Sequence, residues 1–177
     1  PGIPHVLEHF GRKLESHWPE QIGRIFAQLP GKLAARAEDR THFTLLHGDA
    51  NPGNMLVPKE GGERPLYLID QQPFDWSITT WAGVYDLAYI MALYWPTDLR
   101  RTLEIPVLRH YQLQLAARGV ADYAWAQLHA DYRLCVALMV TVAVEYMRDG
   151  GDPAWNDFRF GLVQRPLTAF DDLHCGE

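Results

Sequence analysis

Apolar residues recur at helical spacing along most of this chain and condense into strand-like runs over one short stretch. Val6 to Trp18 and Pro19 to Leu29 are predicted helices. In the second, Ile22, Ile25, Phe26 and Leu29 share a face, and Pro19 suits a first-turn position where its missing N–H is no loss. Pro30-Gly31 is expected to punctuate, with Lys32 to Glu38 forming a further short helix. The texture then changes. Phe43 to Leu46 reads as a short strand, followed by a Gly/Asn/Pro-rich loop at 47–54. Met55 to Val57 reads as a second strand, Pro58 to Pro65 with Gly61-Gly62 as a polar turn, and Leu66 to Ile69 as a third strand ending at Asp70. From Gly83 onward helices return. Val84, Leu87, Ile90 and Met91 line one face, stopped by Trp95-Pro96-Thr97. Leu99 to Arg118 follows, broken or kinked at Pro106 and closed by Gly119. Tyr123 to Met147 is apolar nearly all round in its centre, which predicts a helix buried mid-domain. Ala154 to Leu173 is a last helix, interrupted near Pro166. The predicted class is α+β, mainly helical, with a small β unit carrying the loop.

Length and composition narrow this without redirecting it. With 177 residues, 47% hydrophobic and 21% charged, residues 1–177 make one ordinary globular domain. The formal net charge of −6 and the scattered lysines and arginines argue against a nucleic-acid partner. The acidic balance suits a cationic ligand or is a solvated surface. Cys135 and Cys175 cannot form a zinc site or a disulfide framework. The start, Pro1 to His5, has no secretory pattern, and the apolar run Leu134 to Val144 is about half a bilayer span. No membrane partner and a cytoplasmic location are expected.

The chemistry lies in the loop. Phosphoryl transfer needs a carboxylate to orient the attacking hydroxyl and accept its proton, and oxygen ligands to hold Mg²⁺ against phosphates. Asp49 opens the loop, Asn54 closes it five residues later, and Pro52-Gly53 forces a turn between them. Asp70 ends the third strand, so the three side chains are expected to converge at one end of a small sheet. Asp49 has an ordinary alternative as a loop cap and Asn54 as an Asx-turn residue, yet neither alternative explains why an aspartate also ends the next strand. A metal phosphoesterase built on His47, Asp49 and Asn54 lacks further ligands.

The run His47-Gly48-Asp49-x4-Asn54 resembles the catalytic loop of the aminoglycoside phosphotransferase and choline kinase group, relatives of the protein kinases. Leu68-Ile69-Asp70 resembles the metal-binding Ile-Asp of that group. Tyr85-Asp86-Leu87-Ala88 is similar to the segment opening its next helix. Arg109-His110-Tyr111, Arg118-Gly119-Val120 and Asp131-Tyr132-Arg133-Leu134 look like the C-terminal helices of ecdysteroid-kinase-like branches. The resemblance runs from about residue 40 to the end. It implies a protein-kinase-like fold, Asp49 as catalytic base, Asn54 and Asp70 as metal ligands, and His47 and Asp86 as supports of the loop. It also implies Mg²⁺ with ATP or GTP, neither needed for folding, and a small-molecule acceptor bearing a hydroxyl. Relatives commonly place an aromatic residue after the metal-binding aspartate, where this chain has Gln71. Asp75, Trp76 and Trp81 are candidate substrate-binding residues, with core packing the alternative for both tryptophans.

Before residue 43 the sequence offers no Gly-x-Gly-x-x-Gly and no strand lysine to grip phosphates. The chain is therefore expected to be the C-terminal, catalytic and acceptor-binding lobe only, inactive alone, its N-terminal lobe lying in the same or another chain. The alternative is a stand-alone non-catalytic module that binds a ligand or partner.

Overall fold

The computed structural model describes residues 2–59, 65–70, 80–148 and 152–177. Among these residues, six α-helices and four short strands run in the order α1 (Gly2–Phe10), α2 (Trp18–Glu38), β1 (Phe43–Leu45), β2 (Met55–Leu56), β3 (Tyr67–Leu68), β4 (Thr80–Ala82), α3 (Val84–Leu93), α4 (Thr97–Ala117), α5 (Trp125–Glu145) and α6 (Asn156–Asp172). The chain is thus mainly helical with small antiparallel ladders, as expected of its class.

α5 is the axis of the core. Leu128, Tyr132, Cys135, Val136, Met139, Val140, Ala143 and Val144 are buried around most of its circumference, because α3, α6 and α2 all pack against it. Each fully buried large aliphatic side chain contributes about 1.5–3 kcal/mol, so this helix carries much of the apolar driving force. No helix among the described residues is long and apolar enough to cross a membrane.

The prolines interrupt less than the sequence suggests. α2 runs unbroken through Pro30 and Gly31 rather than stopping there. Proline in a helix interior loses one backbone hydrogen bond and costs roughly 3 kcal/mol. The buried stripe Trp18, Ile22, Ile25 and Leu29, continued by the partly buried Leu33 and Ala37, offsets that cost. Pro106 and Pro166 likewise sit inside α4 and α6. Where the first predicted helix was drawn through to Trp18, α1 instead ends at Phe10, and a single 3₁₀ turn at Gly11–Lys13 leads into α2. Gly119 does close α4: at φ +95° it lets Val120 N–H reach back to the Leu115 carbonyl.

The strands differ more from expectation. Among the described residues they form two separate two-stranded antiparallel ladders and not one small sheet. β2 pairs with β3, Met55 opposite Leu68 and Leu56 opposite Tyr67, which is the anticipated hairpin. β1 pairs instead with β4, Phe43 opposite Ala82 and Leu45 opposite Thr80, and nothing in the sequence reading marked 80–82 as a strand. Trp81 and Ala82 are buried. With Phe43 and Trp81 ring centroids 4.6 Å apart, the β1–β4 pair is held by core packing.

Two buried polar clusters fix how the chain enters β1 and how the last helix docks. Arg36, near the end of α2, grips Asp131 of α5 with two parallel hydrogen bonds of 2.7 and 3.0 Å. Asp131 also accepts from the Tyr123 hydroxyl at 2.6 Å and from Gln127 at 3.0 Å. The same guanidinium donates to the carbonyls of Asp39 and Thr41, so it steers 39–42 toward β1. On the far side, Arg100 is 2% exposed and bonds both Glu104 and Asp172, joining α4 to α6. Buried charges persist only when partnered in this way.

Candidate active site

The loop after β1 is built on Asp86, in the first turn of α3. One carboxylate oxygen accepts the His47 backbone N–H at 2.8 Å and the other accepts that of Gly48 at 3.0 Å. Gly48 has φ +83°, a left-handed conformation that a side chain would disfavour. That reversal turns the chain sharply where Asp49 leaves it.

His47 is 8% exposed. Its Nε2 lies 2.9 Å from the Ile69 carbonyl, an acceptor only, so Nε2 carries the proton. Nδ1 is then the acceptor toward the Asp49 N–H at 3.4 Å. The imidazole therefore links the loop to the strand that leads into Asp70, with both ring nitrogens occupied.

Asn51 caps the 3₁₀ turn Pro52–Asn54 by accepting the Gly53 N–H at 2.7 Å, and its amide donates to Asp49 Oδ1 at 3.0 Å. Asn54 Nδ2 donates to the Asp49 carbonyl at 2.9 Å and to Asp49 Oδ2 at 3.1 Å. Both partners accept, which settles the amide's orientation and turns Asn54 Oδ1 away from Asp49. The Asn54 carbonyl accepts the Ile69 N–H at 2.9 Å. Ile69 is thus bonded to Asn54 on one side and His47 on the other, and Asp70 follows it directly, exposed and at φ +62°. A non-glycine residue in that region carries on the order of 1–3 kcal/mol of strain, which collects at functional sites.

The structure joins Asp49 to Asn54 directly, and Asp86 and His47 to the loop backbone. Asp70 is brought to the same end of the hairpin through Ile69. Trp81 lies in the core against Phe43. Asp75 and Trp76 lie outside the described residues. Among the described residues no group of three or more His, Cys, Asp or Glu could hold a metal ion. Asn54 and Asp70 supply two oxygen donors, the hard type that suits Mg²⁺, which keeps several waters and takes few protein ligands.

Sequence reasoning passed over three residues. Asn51 lies inside the 47–54 loop with no signal in the sequence that sets it apart. Tyr89, 2% exposed, donates its hydroxyl to Asp49 Oδ1 at 2.8 Å. Tyr146, half-exposed at the end of α5, has its hydroxyl 2.8 Å from that of Tyr89. Burial, reinforced by the Tyr146 hydrogen bond, pushes the Tyr89 hydroxyl far above the ordinary tyrosine range. Burial and then Tyr146 push Tyr94 up to about 12. A signal for Tyr89 was present: it stands three residues after Asp86, so both lie on the same face of α3.

No curated protein and no solved structure matches the chain. A family model, described as the phosphotransferase enzyme family, matches residues 5–130. That span runs from within α1 to the first residues of α5, and takes in Asp49, Asn54, Asp70 and Asp86. By sequence and by the loop it contains, the chain belongs to the phosphotransferase enzyme family.

Proposed function

We propose that the protein transfers a phosphoryl group from a nucleoside triphosphate to a hydroxyl of a small molecule. The observation that carries this reading is the Asp49–Asn54 pair, hydrogen-bonded to each other on a loop whose backbone is clamped by Asp86. Asp49 is positioned to accept the acceptor's proton. Asn54 Oδ1 and the Asp70 carboxylate are the oxygens that would hold Mg²⁺. When bound, that ion supplies charge neutralisation across the phosphates. His47 and Asp86 act through the loop backbone and not on substrate.

We further propose that this chain is the catalytic and acceptor-binding lobe of a kinase-like fold, and that a nucleotide-covering lobe, in the same or another chain, completes it. The support is a run of exposed apolar side chains beside the site. Leu45, Leu56, Val57, Leu66, Tyr67 and Ile69 are all at least 43% exposed, an unusual concentration for a free surface. ATP and Mg²⁺ are its expected partners, with GTP the alternative nucleotide.

The test is a phosphotransfer assay with labelled ATP, Mg²⁺ and a panel of small alcohols, run on the isolated chain and on a form joined to a nucleotide-binding lobe. Transfer is expected only in the joined form and should fall by roughly 10²–10⁴-fold in Asp49→Ala. Asp49-dependent transfer by the isolated chain would remove the need for the second lobe. Transfer indifferent to Asp49→Ala would overturn the reaction itself.

A further inference from the structure

Given the phosphotransfer reading, the hydrogen bonds around Asp49 discriminate between its two oxygens. Each carboxylate oxygen offers two lone-pair directions. Oδ1 has both engaged, by Asn51 Nδ2 at 3.0 Å and by the Tyr89 hydroxyl at 2.8 Å. Among the described residues, Oδ2 has one engaged, by Asn54 Nδ2 at 3.1 Å. The direction of the tyrosine chain follows from proton counting. A carboxylate only accepts, so the Tyr89 proton points at Oδ1. A hydroxyl has a single proton, so Tyr89 oxygen must accept from Tyr146. Tyr89 is buried, and burial pushes its hydroxyl well above the ordinary tyrosine range, which favours the neutral, donating form.

We infer that Tyr89 is a positioning residue for the transfer: with Asn51 it saturates Asp49 Oδ1, leaving Oδ2 as the atom that takes the acceptor's proton, and Tyr146 supports Tyr89 by donating to its oxygen. In the step so assigned, the acceptor's hydroxyl proton passes to Asp49 Oδ2 as its oxygen bonds the γ-phosphorus. The bond from that phosphorus to the β,γ-bridging oxygen breaks, and its electron pair leaves with the nucleoside diphosphate. The carboxylate is anchored from three directions, on the loop by Asn51 and Asn54 and on α3 by Tyr89. Among the described residues, only the last ties the carboxylate itself to the helical body.

The inference separates from the functional reading in two measurements. In the form that shows Asp49-dependent transfer, Tyr89→Phe should lower kcat about 10–100-fold, because misorientation of a reacting group costs that order. KM for nucleotide and acceptor should change less than about two-fold, since Tyr89 binds neither. Tyr146→Phe leaves the Tyr89–Asp49 bond in place and should lower kcat only about three-fold. A loss of packing alone would lower Tm and raise KM in both variants instead. The second measurement needs no turnover: tyrosines labelled with ¹³C at the ring carbon bearing oxygen, observed by NMR in the wild type and in Asp49→Asn. The Tyr89 resonance should move when its charged acceptor becomes neutral, with a smaller movement at Tyr146. Wild-type kcat in Tyr89→Phe, or a Tyr89 resonance indifferent to Asp49→Asn, would overturn the inference. Activity surviving in Asp49→Ala would overturn the reaction and leave the resonance result to decide the hydroxyl chain.

Discussion

Replacing Asp86 by asparagine changes one atom type and tests whether the loop is held as described. Both carboxylate oxygens are in use, on the N–H groups of His47 and Gly48. Asparagine keeps one acceptor and turns an NH₂ toward the other N–H, so donor faces donor. One charged hydrogen bond becomes neutral, a loss of about 1 kcal/mol, and the other is lost outright with a part-buried N–H left unpaired, about 2 kcal/mol more. The total of roughly 3 kcal/mol corresponds to a fall in Tm of about 6–12 °C for a chain of this size. Asp86 also lies in the first turn of α3, where any negative charge is favourable. Asp98, exposed in the first turn of α4, provides the control, because Asp98→Asn removes the same helix-end charge and no backbone clamp. Scanning calorimetry on both variants isolates the clamp. An Asp86→Asn protein that melts no lower than Asp98→Asn would refute the reasoning. Since Asp49 follows Gly48 directly, kcat should fall in the same variant with Asp49 itself intact.

Gly48→Ala forces a side chain into a φ of +83°. It should cost about 1–2 kcal/mol, seen as a fall in Tm of about 3–6 °C; an unchanged Tm would mean the turn relaxes freely. For Asp172, burial pushes the carboxyl up, but Arg101 and Arg100 outweigh it and hold the carboxyl below its ordinary value of 3.8. Folded is therefore lower than unfolded, so the stability this group contributes is complete above about pH 5 and is lost as pH falls through the folded value. Urea midpoints should drop more steeply from about pH 5 to pH 2 in the wild type than in Asp172→Asn, and parallel curves would contradict the assignment. Burial raises both thiols, Cys175 up to about 12 and Cys135 beyond the ordinary range. Iodoacetamide at about pH 8 should then label neither in the native protein and both in urea; prompt native labelling would place a thiol at the surface.

The parts of this molecule that were legible in the sequence are those where a local pattern and its tertiary use agree. The 3.6-residue rhythm of α3 and α5, the Gly119 helix end and the 55–69 hairpin all follow from neighbours in sequence. The Asp49/Asn54 spacing was legible because the turn that joins them lies wholly within 47–54. What was not legible depends on distant partners. Pro30 looks like a helix stop until the stripe from Trp18 to Ala37 is seen to lie on α5. Thr80-Trp81-Ala82 has no alternation, and becomes a strand only because Phe43 to Leu45 needs a partner and Trp81 a place in the core. Tyr89 and Tyr146 join the site through contacts spanning 40 and 57 residues, a distance that no motif window covers.

The pairing of Leu45 with Thr80 and the grip of Asp86 on 47–48 also divide the molecule mechanically. Together they form a neck, from which the β2–β3 hairpin projects with its side chains exposed. The helical body is sealed on the near side of that neck. Beyond it, little apolar surface is buried among the described residues, and the described hairpin rests on a few hydrogen bonds through Ile69, Asn54 and His47. Opening the hairpin therefore exposes almost no core, so it should happen as a sub-global event well below the free energy of full unfolding. Amides of Met55 and Ile69 should exchange through that opening while those of α5 stay protected. On the proposed reading, in which Asn54 and Asp70 would hold the metal of a bound nucleotide, ligand should slow the first set and leave the second untouched. The site is then most ordered when occupied, and its order can change without disturbing the core that carries it.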